Sequence, residues 1–451
     1  MNWLTSLLRA ENRIDHKINA MIDDRLKKNF IVHTIDLPAY RFVDLMRAVA
    51  SVIEPRDNVT KIETQQHEGL NQIVHDVDTH YDRTMRTSPK VAWPTGPNSE
   101  AYLPVDTFWV CPAPGAPDCL IARLTFTEYA QKSTIEVACG DTDAGKKVLD
   151  DIIDVSRENS IYRGHNLHLS YESGKKDEYG DVEKPERFQI TFSTIEDVTD
   201  EDIVLTDEHL EVLKRNIIDL YTRRDILEEN GVPARRGVLL HGPPGTGKTF
   251  ACRFLCHKLE GVTCLFVTGS SLLNVGAIFS FARLLQPAVL FLEDVDLIFA
   301  TREINLYSTA LGDLLDQMDG LRARENISVV LTTNAIDRLE AAIKDRPGRI
   351  SQCIYMGAPA PAQRRLFLAH QLRDHNAKDV DIEELVHDSD GATQAFLKEW
   401  TYRAVQIACE RLDTATEKAA LRNEDFSVAL KEMSRFLDGS DGKIIGFTQG
   451  R

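Results

Sequence analysis

Hydrophobic positions follow two different patterns along the chain, and the change falls near residue 200. Before it, apolar residues recur at helical spacing from Ile14 to Leu26 and from Phe42 to Ile53, which predicts two amphipathic helices. Five strand-like runs follow, beginning at residues 107, 120, 133, 166 and 187. Charged residues separate the last two runs, a pattern typical of a long hairpin. We therefore expect residues 1–200 to form a separate α+β domain that binds a substrate or partner.

Beyond residue 200, short apolar runs alternate with helical stretches. The runs are GVLL at 237, CLFVTG at 264, VLFL at 289, SVVLTTN at 328 and QCIYMG at 352. Strands that alternate with helices pair mostly in parallel, and helices then cover both faces of the sheet. Ligands of such sheets bind beyond the carboxyl ends of the strands. The pattern predicts an α/β domain whose site lies at those ends.

The segment GPPGTGKT lies between the first of these runs and a helical stretch, and it has the chemistry of a phosphate-binding loop. Its glycines let backbone N–H groups and the helix N-terminus approach phosphate oxygens. Lys248 supplies positive charge to the β- and γ-phosphates, and Thr249 offers a hydroxyl to Mg²⁺. The predicted nucleotide-binding residues are Gly242, Pro243, Pro244, Gly245, Thr246, Gly247, Lys248 and Thr249.

A second segment, GDTDAGKK at 140, fits only part of the same motif. Lys147 stands where a serine or threonine should bind Mg²⁺, and Asp141 and Asp143 would repel phosphates. We interpret this segment as a loop that caps the following helix rather than as a nucleotide site.

Three carboxylates end the buried run VLFLEDVD, where an unpaired charge would be costly. In a P-loop fold a neighbouring strand ends beside the phosphates, so a carboxylate there meets Mg²⁺ and its waters. We predict that Glu293 holds the magnesium shell and that Asp294 orients or deprotonates the attacking water. Asp296 is expected to cap or pair locally. Asn334 ends another strand and is predicted to touch the γ-phosphate or the water, with a simple turn as the alternative.

Composition and charge narrow the class of protein. The chain has 451 residues, 43% of them hydrophobic and 27% charged, with a formal net charge of −17. This mixture is typical of a globular protein, and the negative charge disfavours nucleic acid as a partner. No run approaches the ~20 apolar residues of a membrane-spanning helix. Eight cysteines without paired spacing fit a reducing, cytoplasmic compartment.

The first residues allow two interpretations. Trp3, Leu4, Leu7 and Leu8 are apolar with Arg9 nearby, which is compatible with peripheral contact to a membrane surface. Core packing or a short coiled coil is the alternative for the start of the chain. Charges occur too early there for a secretory signal.

Together these motifs resemble the AAA ATPases. The likeness covers residues 206–435 and rests on GVPARRGVLLHGPPGTGKT, AVLFLEDVD, DLLDQMDG, VVLTTNAIDRLEAAIKDRPGRI and NEDFSVALKEM. It implies an α/β P-loop NTPase core with a parallel sheet over 206–360, a small helical lid over 361–437 and a tail over 438–451.

The resemblance also implies roles for residues of this chain. It implies ATP and Mg²⁺ as ligands, with the Walker A loop at 242–249 and metal ligation by Thr249 and Glu293. The Walker B acids fall at Glu293 and Asp294, and sensor 1 falls at Asn334. These assignments agree with the roles inferred from the residues themselves.

Two further pairs of residues follow from the resemblance alone. Arg346 and Arg349 fall at the arginine fingers, which reach the ATP of a neighbouring subunit in this family. Gly391 and Ala392 occupy the place in the lid that packs near the nucleotide. The family forms rings, so the resemblance implies a homo-hexamer, with a heptamer as the alternative.

The chain departs from the usual family pattern in three places. Glu293 precedes Asp294, whereas the usual order is Asp then Glu. The same order occurs in the mitochondrial inner-membrane AAA translocases that export the folded Rieske iron–sulfur protein, and in similar bacterial proteins, which form the subgroup this chain resembles most. The pore loop of threading members corresponds to Asn274-Val275-Gly276, which lacks an aromatic residue to grip an extended chain. The membrane span of the mitochondrial members is not seen in this sequence.

These features favour a ring-forming ATPase that remodels, chaperones or translocates protein clients without threading them. The sequence does not identify the client. A nucleotide-gated scaffold with low turnover is one alternative, because the shorter Asp294 stands at the position of the base. A nucleic-acid motor or loader is the other, and the acidic balance of the chain disfavours it.

Overall fold

A computed structural model gives the fold of the chain. It describes residues 12–22, 24–75, 83–112, 119–172, 175–176, 182–184, 187–194, 198, 203, 205–232, 236–299, 304–321, 325–337, 339, 350–412 and 418–435. The predicted tail at 438–451 and the apolar start around Trp3 lie outside these residues. Contacts group the chain into two compact units, Met1–Arg163 with Ser170–Phe192, and Gly164–Leu169 with Ser193–Arg451. Within the described ranges, no helix has both the length and the apolar character needed to span a bilayer.

The first unit contains a six-stranded antiparallel sheet. Its strands, in spatial order, are Ile31–Pro38, Lys132–Cys139, Leu120–Thr127, Asp106–Cys111, Thr60–Gln65 and Arg86–Thr87. Asp106–Cys111 is buried along its whole length, because helices cover both faces of the sheet. The strands predicted to begin at residues 107, 120 and 133 are confirmed. A separate hairpin, Lys90–Gly96 with Ser99–Pro104, has no counterpart in the hydrophobic pattern.

Helices pack on each face of this sheet. Phe42–Ile53 and Thr142–Glu158 cover one face, and Ile14–Asn19 with Leu70–Val74 cover the other. The helix predicted from Phe42 to Ile53 is confirmed with the same limits. The helix predicted from Ile14 to Leu26 is wrong in extent, because it ends at Asn19 and a turn follows before the short helix Asp24–Lys27.

The partial motif at 140 caps a helix, as its residues predict. The side chain of Asp141 accepts a hydrogen bond of 2.9 Å from the backbone N–H of Ala144, at the start of Thr142–Glu158. This bond satisfies one of the N–H groups that a helix leaves free at its N-terminus. The segment is therefore a helix cap in the first unit.

The second unit is built on a parallel sheet. Its parallel strands lie in the order residues 166–169 of Asn166–Glu172, Thr263–Thr268, Ala288–Glu293, Ile327–Thr333, Gly237–His241 and Gln352–Tyr355. The strand Ile327–Thr333 is buried at every position, as expected for a parallel strand covered on both faces. The strands predicted around residues 237, 264, 289, 328 and 352 are confirmed.

The first strand of this order was not expected in this sheet from the sequence. Residues 166–169 pair in parallel with residues 264–267, far downstream in the chain. From the sequence, the run at 166 was assigned to the same domain as the strands before it, because pairing with a strand far along the chain leaves no signal in the local hydrophobic pattern. The boundary predicted near residue 200 therefore separates two strands that share one sheet. Arg187–Phe192 neighbours Asn166–Glu172 in the sheet, as predicted for the arms of a hairpin.

Helices flank the parallel sheet. They are Asp207–Leu213, Asp219–Thr222, Arg224–Glu229, Lys248–His257, Val275–Leu284 and Ile304–Asp319, with a π-helical segment at Lys214–Ile218 and 3₁₀ turns at Gly269–Asn274 and Val295–Phe299. Lys248–His257 buries Cys252 and Leu255 in the same apolar cluster as Val238 and Val289 of the sheet. This packing fixes the N-terminus of Lys248–His257 at the end of the strand Gly237–His241.

A smaller helical body follows the sheet. Its helices are Pro361–Leu372, Ile382–Asp388, Gln394–Cys409 and Asn423–Arg435, joined by a two-stranded parallel ribbon of Asn376–Asp379 and Ala420–Arg422. Trp400 is fully buried in its core and donates a hydrogen bond of 2.7 Å to the backbone oxygen of Phe426. These helices lie within the segment for which the sequence predicts a helical lid, and the ribbon was not expected from the sequence.

Candidate functional site

Residues 242–247 form a tight loop between the strand Gly237–His241 and the helix Lys248–His257. Gly242 has a φ of +149°, and a Cβ at this position would lie 2.0 Å from the backbone oxygen of Met356. Gly245 has a φ of +77°, and its Cβ would lie 2.9 Å from the Cβ of Ala395. Backbone conformation and space therefore both exclude a side chain at these two positions.

Lys248 lies folded back over this loop. The residue is 6% exposed, and Nζ donates hydrogen bonds of 2.8 Å to the backbone oxygens of Gly242 and Pro243. Burial lowers the pKa of Lys248, while the charges of Asp294 and Asp296 act in the opposite direction. An ammonium group has three donors, so two hold the loop and one is left for a phosphate oxygen.

Glu293 and Thr249 meet at the end of the strand Ala288–Glu293. The pKa of Glu293 is raised by burial and by the neighbouring charge of Asp294, while Arg253 and a hydrogen bond from Thr249 oppose this shift. Its Oε1 atom is buried and has no hydrogen-bond partner in the described part of the chain.

A buried carboxylate oxygen without a donor beside a threonine hydroxyl fits a Mg²⁺ site. Mg²⁺ is commonly held by one or two protein ligands together with waters and substrate phosphates. Among the described residues, no cluster of three or more His, Cys, Asp or Glu side chains forms a protein-only metal site. Thr249 and Glu293 are therefore the residues of this site that would hold the ion.

Asp294 follows in a left-handed conformation, with a φ of +50°. Few residues other than glycine adopt this conformation, although Asp tolerates it better than most. The backbone N–H of Asp294 donates a hydrogen bond of 3.0 Å to Oγ1 of Thr332. Its Oδ1 accepts a bond of 3.1 Å from Nδ2 of Asn334. The two predicted polar residues are thus in direct contact across neighbouring strands.

Asp296 does not pair locally, contrary to the prediction from sequence. Its Oδ1 accepts hydrogen bonds of 2.9 Å from Oγ1 of Thr333 and 3.0 Å from the backbone N–H of Asn334. Both partners end the neighbouring strand Ile327–Thr333 or follow it directly. Parallel pairing brings these two strand ends together, which sequence separation conceals.

A cavity of about 560 Å³ opens beside these groups, and this volume suits a nucleotide-sized ligand. Predicted residues that line it are Pro244, Gly245, Thr246, Gly247, Lys248, Thr249, Asp294 and Asn334. Gly242 and Pro243 face Lys248 through their backbone oxygens, and Glu293 adjoins Thr249. The structure therefore brings the loop, the acids and Asn334 into one site.

The helical lid closes another side of this cavity through residues that the sequence did not indicate. Gln394, Ala395 and Lys398 of the helix Gln394–Cys409 line it. The N–H of Ala395 donates a hydrogen bond of 3.0 Å to the backbone oxygen of Gly245. The predicted Ala392 is instead fully buried in the core of the lid, and the residues just after it contact the cavity.

Other lining residues come from elements that carry no motif. Ile203 and Leu205 contribute apolar surface from the segment before the helix Asp207–Leu213, and Met356 and Phe367 contribute more. The short apolar run at residues 203–205 was the only sequence signal for the first two. The cavity therefore combines a polar phosphate end with an apolar wall.

The sequence also predicts arginine fingers and a pore loop. Arg346 and Arg349 lie outside the described residues. In the segment that corresponds to a pore loop, the side chain of Asn274 caps the helix Val275–Leu284. Val275 is 3% exposed and Leu272 is fully buried. Neither apolar side chain is available at the surface in this conformation.

Part of the chain matches a known protein family. Residues 238–358 match the family described as "ATPase family associated with various cellular activities (AAA)". The matched segment contains the loop at 242–247, the acids Glu293 and Asp294, and Asn334.

Curated relatives are similar over about half of the chain. A 26S proteasome regulatory subunit 8 homolog of Schizosaccharomyces pombe is 30% identical over 240 residues, which cover 49% of this chain and 57% of that protein. Proteasome-activating nucleotidase 2 of Haloferax volcanii is 30% identical over 267 residues, or 56% and 63% of the two chains. The ATP-dependent zinc metalloprotease FtsH 2 of Thermoanaerobacter sp. is 29% identical over 249 residues, or 52% and 47%. The aligned region thus spans about half to two thirds of each relative.

Proposed function

We propose that this chain, whose residues 238–358 match the AAA ATPase family, hydrolyses ATP with Mg²⁺ to remodel, chaperone or translocate protein clients. The observation that carries the proposal is the convergence of Lys248, Thr249, Glu293, Asp294 and Asn334 at the carboxyl ends of a parallel sheet. Relatives named for proteasome regulation, proteasome activation and proteolysis support a protein as the client.

The side chains of the site divide the chemistry among them. Lys248 and the loop N–H groups bind the phosphates, and Thr249 with Glu293 hold the metal. Bound Mg²⁺ would neutralise charge on the β- and γ-phosphates. Asp294 orients or accepts a proton from the attacking water, and the amide of Asn334 fixes this carboxylate.

The proposal includes a ring. The resemblance of the motif RPGR to the family pattern supports Arg346 and Arg349 as arginine fingers that act on the ATP of a neighbouring subunit. We propose a homo-hexamer, with a heptamer as the alternative, and Gly391 with Ala392 as the lid segment nearest the nucleotide. The chain is proposed to act in the cytoplasm, with peripheral membrane contact through its first residues as an open alternative.

The client is proposed to stay folded rather than to be threaded. A pore loop grips through exposed aromatic or apolar side chains, whereas Val275 and Leu272 are buried and Asn274 caps a helix. The order Glu293-Asp294 supports a closer relation to the Rieske-protein translocases, whose client crosses the membrane folded. Both features favour nucleotide-driven changes in ring shape over processive pulling.

ATP binding and hydrolysis test the roles of the side chains. Lys248→Ala should abolish ATP binding, because the phosphates lose their main cationic partner. Asp294→Asn should bind ATP and hydrolyse it slowly, and Glu293→Gln should shift the Mg²⁺ concentration that activity requires. Thr401→Val is the control, because it removes a buried hydroxyl that bonds within its own helix and does not line the cavity. Equal loss of binding in Lys248→Ala and Asp294→Asn would contradict these roles.

Mixed assemblies test the arginine fingers. Subunits carrying Arg349→Ala and subunits carrying Lys248→Ala should each be inactive alone. Mixing them should restore part of the ATPase activity, because some interfaces then join an intact pocket to an intact arginine. Full activity in a dilute monomer would refute action between subunits.

A nucleotide-gated scaffold with little turnover is a second candidate. The short Asp294 at the position of the base favours it, because an aspartate reaches less far toward water than a glutamate. Nucleotide-dependent assembly with turnover that no client stimulates would support the scaffold. Stimulation by a protein that co-purifies with Asp294→Asn would support the remodelling ATPase instead.

Unfolding of a stable tagged protein tests the mode of client handling. We expect poor ATP-dependent unfolding, together with nucleotide-dependent suppression of aggregation or client release. Processive unfolding that is lost in Asn274→Ala or Val275→Ala would show that the loop does thread a chain.

A further inference from the structure

Four hydrogen bonds join the acidic strand end to the end of the neighbouring strand, and three of them involve Asp294 or Asn334. Thr332 accepts from the backbone N–H of Asp294 at 3.0 Å, and Asp296 accepts from the backbone N–H of Asn334 at 3.0 Å. Asn334 then donates from its side chain to Asp294 at 3.1 Å. Thr332 on one strand end therefore holds the backbone of Asp294, and Asp296 on the other holds the backbone of Asn334.

Asp296 makes the largest contribution to this arrangement. Its Oδ1 also accepts from the hydroxyl of Thr333 at 2.9 Å, and that hydroxyl accepts from the N–H of Ala335 at 3.0 Å. One carboxylate oxygen thus fixes three successive residues, 333 to 335, directly or through one hydroxyl. Asp296 itself is 9% exposed, so little water is available to replace these bonds.

The strand ends would otherwise be poorly fixed. Asp294 has a φ of +50°, and Asn334 lies beyond the last residue of its strand, where regular pairing has ended. A positive φ at a residue other than glycine persists only when its surroundings hold it. The bonds to Thr332 and Asp296 supply that restraint on the two sides.

We propose that Asp296 is a positioning residue for ATP hydrolysis, which orients the amide of Asn334 toward Asp294 and the γ-phosphate. This proposal rests on the proposed ATPase function of the same site. Asp296 touches neither nucleotide nor metal in this assignment and acts only through Asn334. Through this orientation, Asp296 would help the site to distinguish a nucleoside triphosphate, which has a γ-phosphate, from a nucleoside diphosphate, which has none.

Two substitutions separate the hydrogen bonds from the charge. Asp296→Asn keeps an acceptor oxygen in place of Oδ1, and Asp296→Leu keeps similar bulk without any acceptor. We expect Asp296→Leu to lower kcat by about 10–100-fold, the usual cost of losing a group that orients a ligand residue. KM for ATP should stay within about threefold, since the phosphate loop is untouched, and Asp296→Asn should recover most of kcat.

A double-mutant cycle with Asn334→Ala tests whether Asp296 acts through Asn334. If it does, Asp296→Leu should lower kcat much less in the Asn334→Ala background than in the wild-type chain. Equal losses in both backgrounds would overturn the proposal, because they would indicate general damage to the site. A loss in Asp296→Asn as large as in Asp296→Leu would also overturn it. Thr401→Val again serves as the buried control and should leave kcat unchanged.

Thermal stabilisation by nucleotides gives a readout that does not require turnover. If Asn334 contacts the γ-phosphate, the wild-type chain should melt at a higher temperature with ATP than with ADP. This difference should vanish in Asp296→Leu and in Asn334→Ala, and combining the two should add nothing. A wild-type chain that binds ATP without hydrolysing it would refute the ATPase proposal. The thermal comparison would still show whether Asp296 positions Asn334 against the γ-phosphate. An unchanged ATP–ADP difference in Asp296→Leu would refute that role.

Discussion

Replacing Gly242 by alanine should disrupt the phosphate loop more than its small size implies. The added Cβ would lie 2.0 Å from the backbone oxygen of Met356, which is backbone and cannot rotate away. Relief of this contact requires the loop and the strand Gln352–Tyr355 to separate by more than an ångström. The bond of 2.7 Å from the N–H of Met356 to the oxygen of His241 lies at this point and would be weakened.

The magnitude follows from two contributions. A φ of +149° on a residue with a Cβ costs about 1–3 kcal/mol. The weakened hydrogen bond adds about 0.5–1.5 kcal/mol. We therefore expect the second unit to lose about 2–4 kcal/mol of stability, which lowers its melting temperature by roughly 5–15 °C. ATP binding should fall as well, because Nζ of Lys248 is held by the oxygen of Gly242.

Differential scanning calorimetry with and without ATP measures both effects. Gly312→Ala is the matched control, because it lies in the helix Ile304–Asp319 and no described atom is within 4 Å of its Cβ position. That substitution should stabilise by about 0.5–1 kcal/mol, as alanine does within a helix. A Gly242→Ala chain that melts within about 1 °C of wild type and binds ATP normally would refute the reasoning.

Arg123→Met should destabilise the first unit by about 3–5 kcal/mol in urea, because two buried carboxylates lose their cation. Arg403→Met at an exposed pair should cost at most about 0.5 kcal/mol; equal losses would contradict the assignment. The hydrogen bond from Arg411 holds the pKa of Asp425 below its ordinary value of 3.8. The stability that ionised Asp425 contributes is therefore complete above pH 3.8 and is lost as the pH falls through the folded-state pKa. The difference in unfolding free energy between wild type and Asp425→Asn should therefore shrink below pH 3.8, and a difference that stays constant with pH would exclude this linkage. Iodoacetamide should label the exposed Cys353 and Cys409 in the native chain and leave the buried thiols unreacted, as mass spectrometry would report.

Local pattern was sufficient to predict the centre of the site. The loop at 242–249 and the acids at 293 and 294 each follow a buried strand, and strand ends gather at one edge of a parallel sheet. Residue chemistry and spacing therefore indicated that Lys248, Asp294 and Asn334 converge, and they do.

The parts that the sequence did not predict depend on contacts between distant segments. Asp296 bonds to the end of a strand that lies far along the chain, and nothing in VLFLEDVD reveals that partner. The lid contributes Gln394 and Ala395 because the turn before the helix Gln394–Cys409 sets which residues face the loop. The separate strand at 166–169 pairs with residues 264–267, and its local pattern fits any sheet.

That strand determines how the catalytic half can be isolated. A chain shortened to begin at residue 206, where the family likeness begins, would leave the strand Thr263–Thr268 with an unpaired row of N–H and C=O groups. Such an exposed edge is a template for pairing with other chains and promotes aggregation. A fragment that retains residues 164–169 keeps this edge covered. Inactivity of a shorter fragment would therefore report self-association of an uncapped sheet rather than a need for the first unit in catalysis.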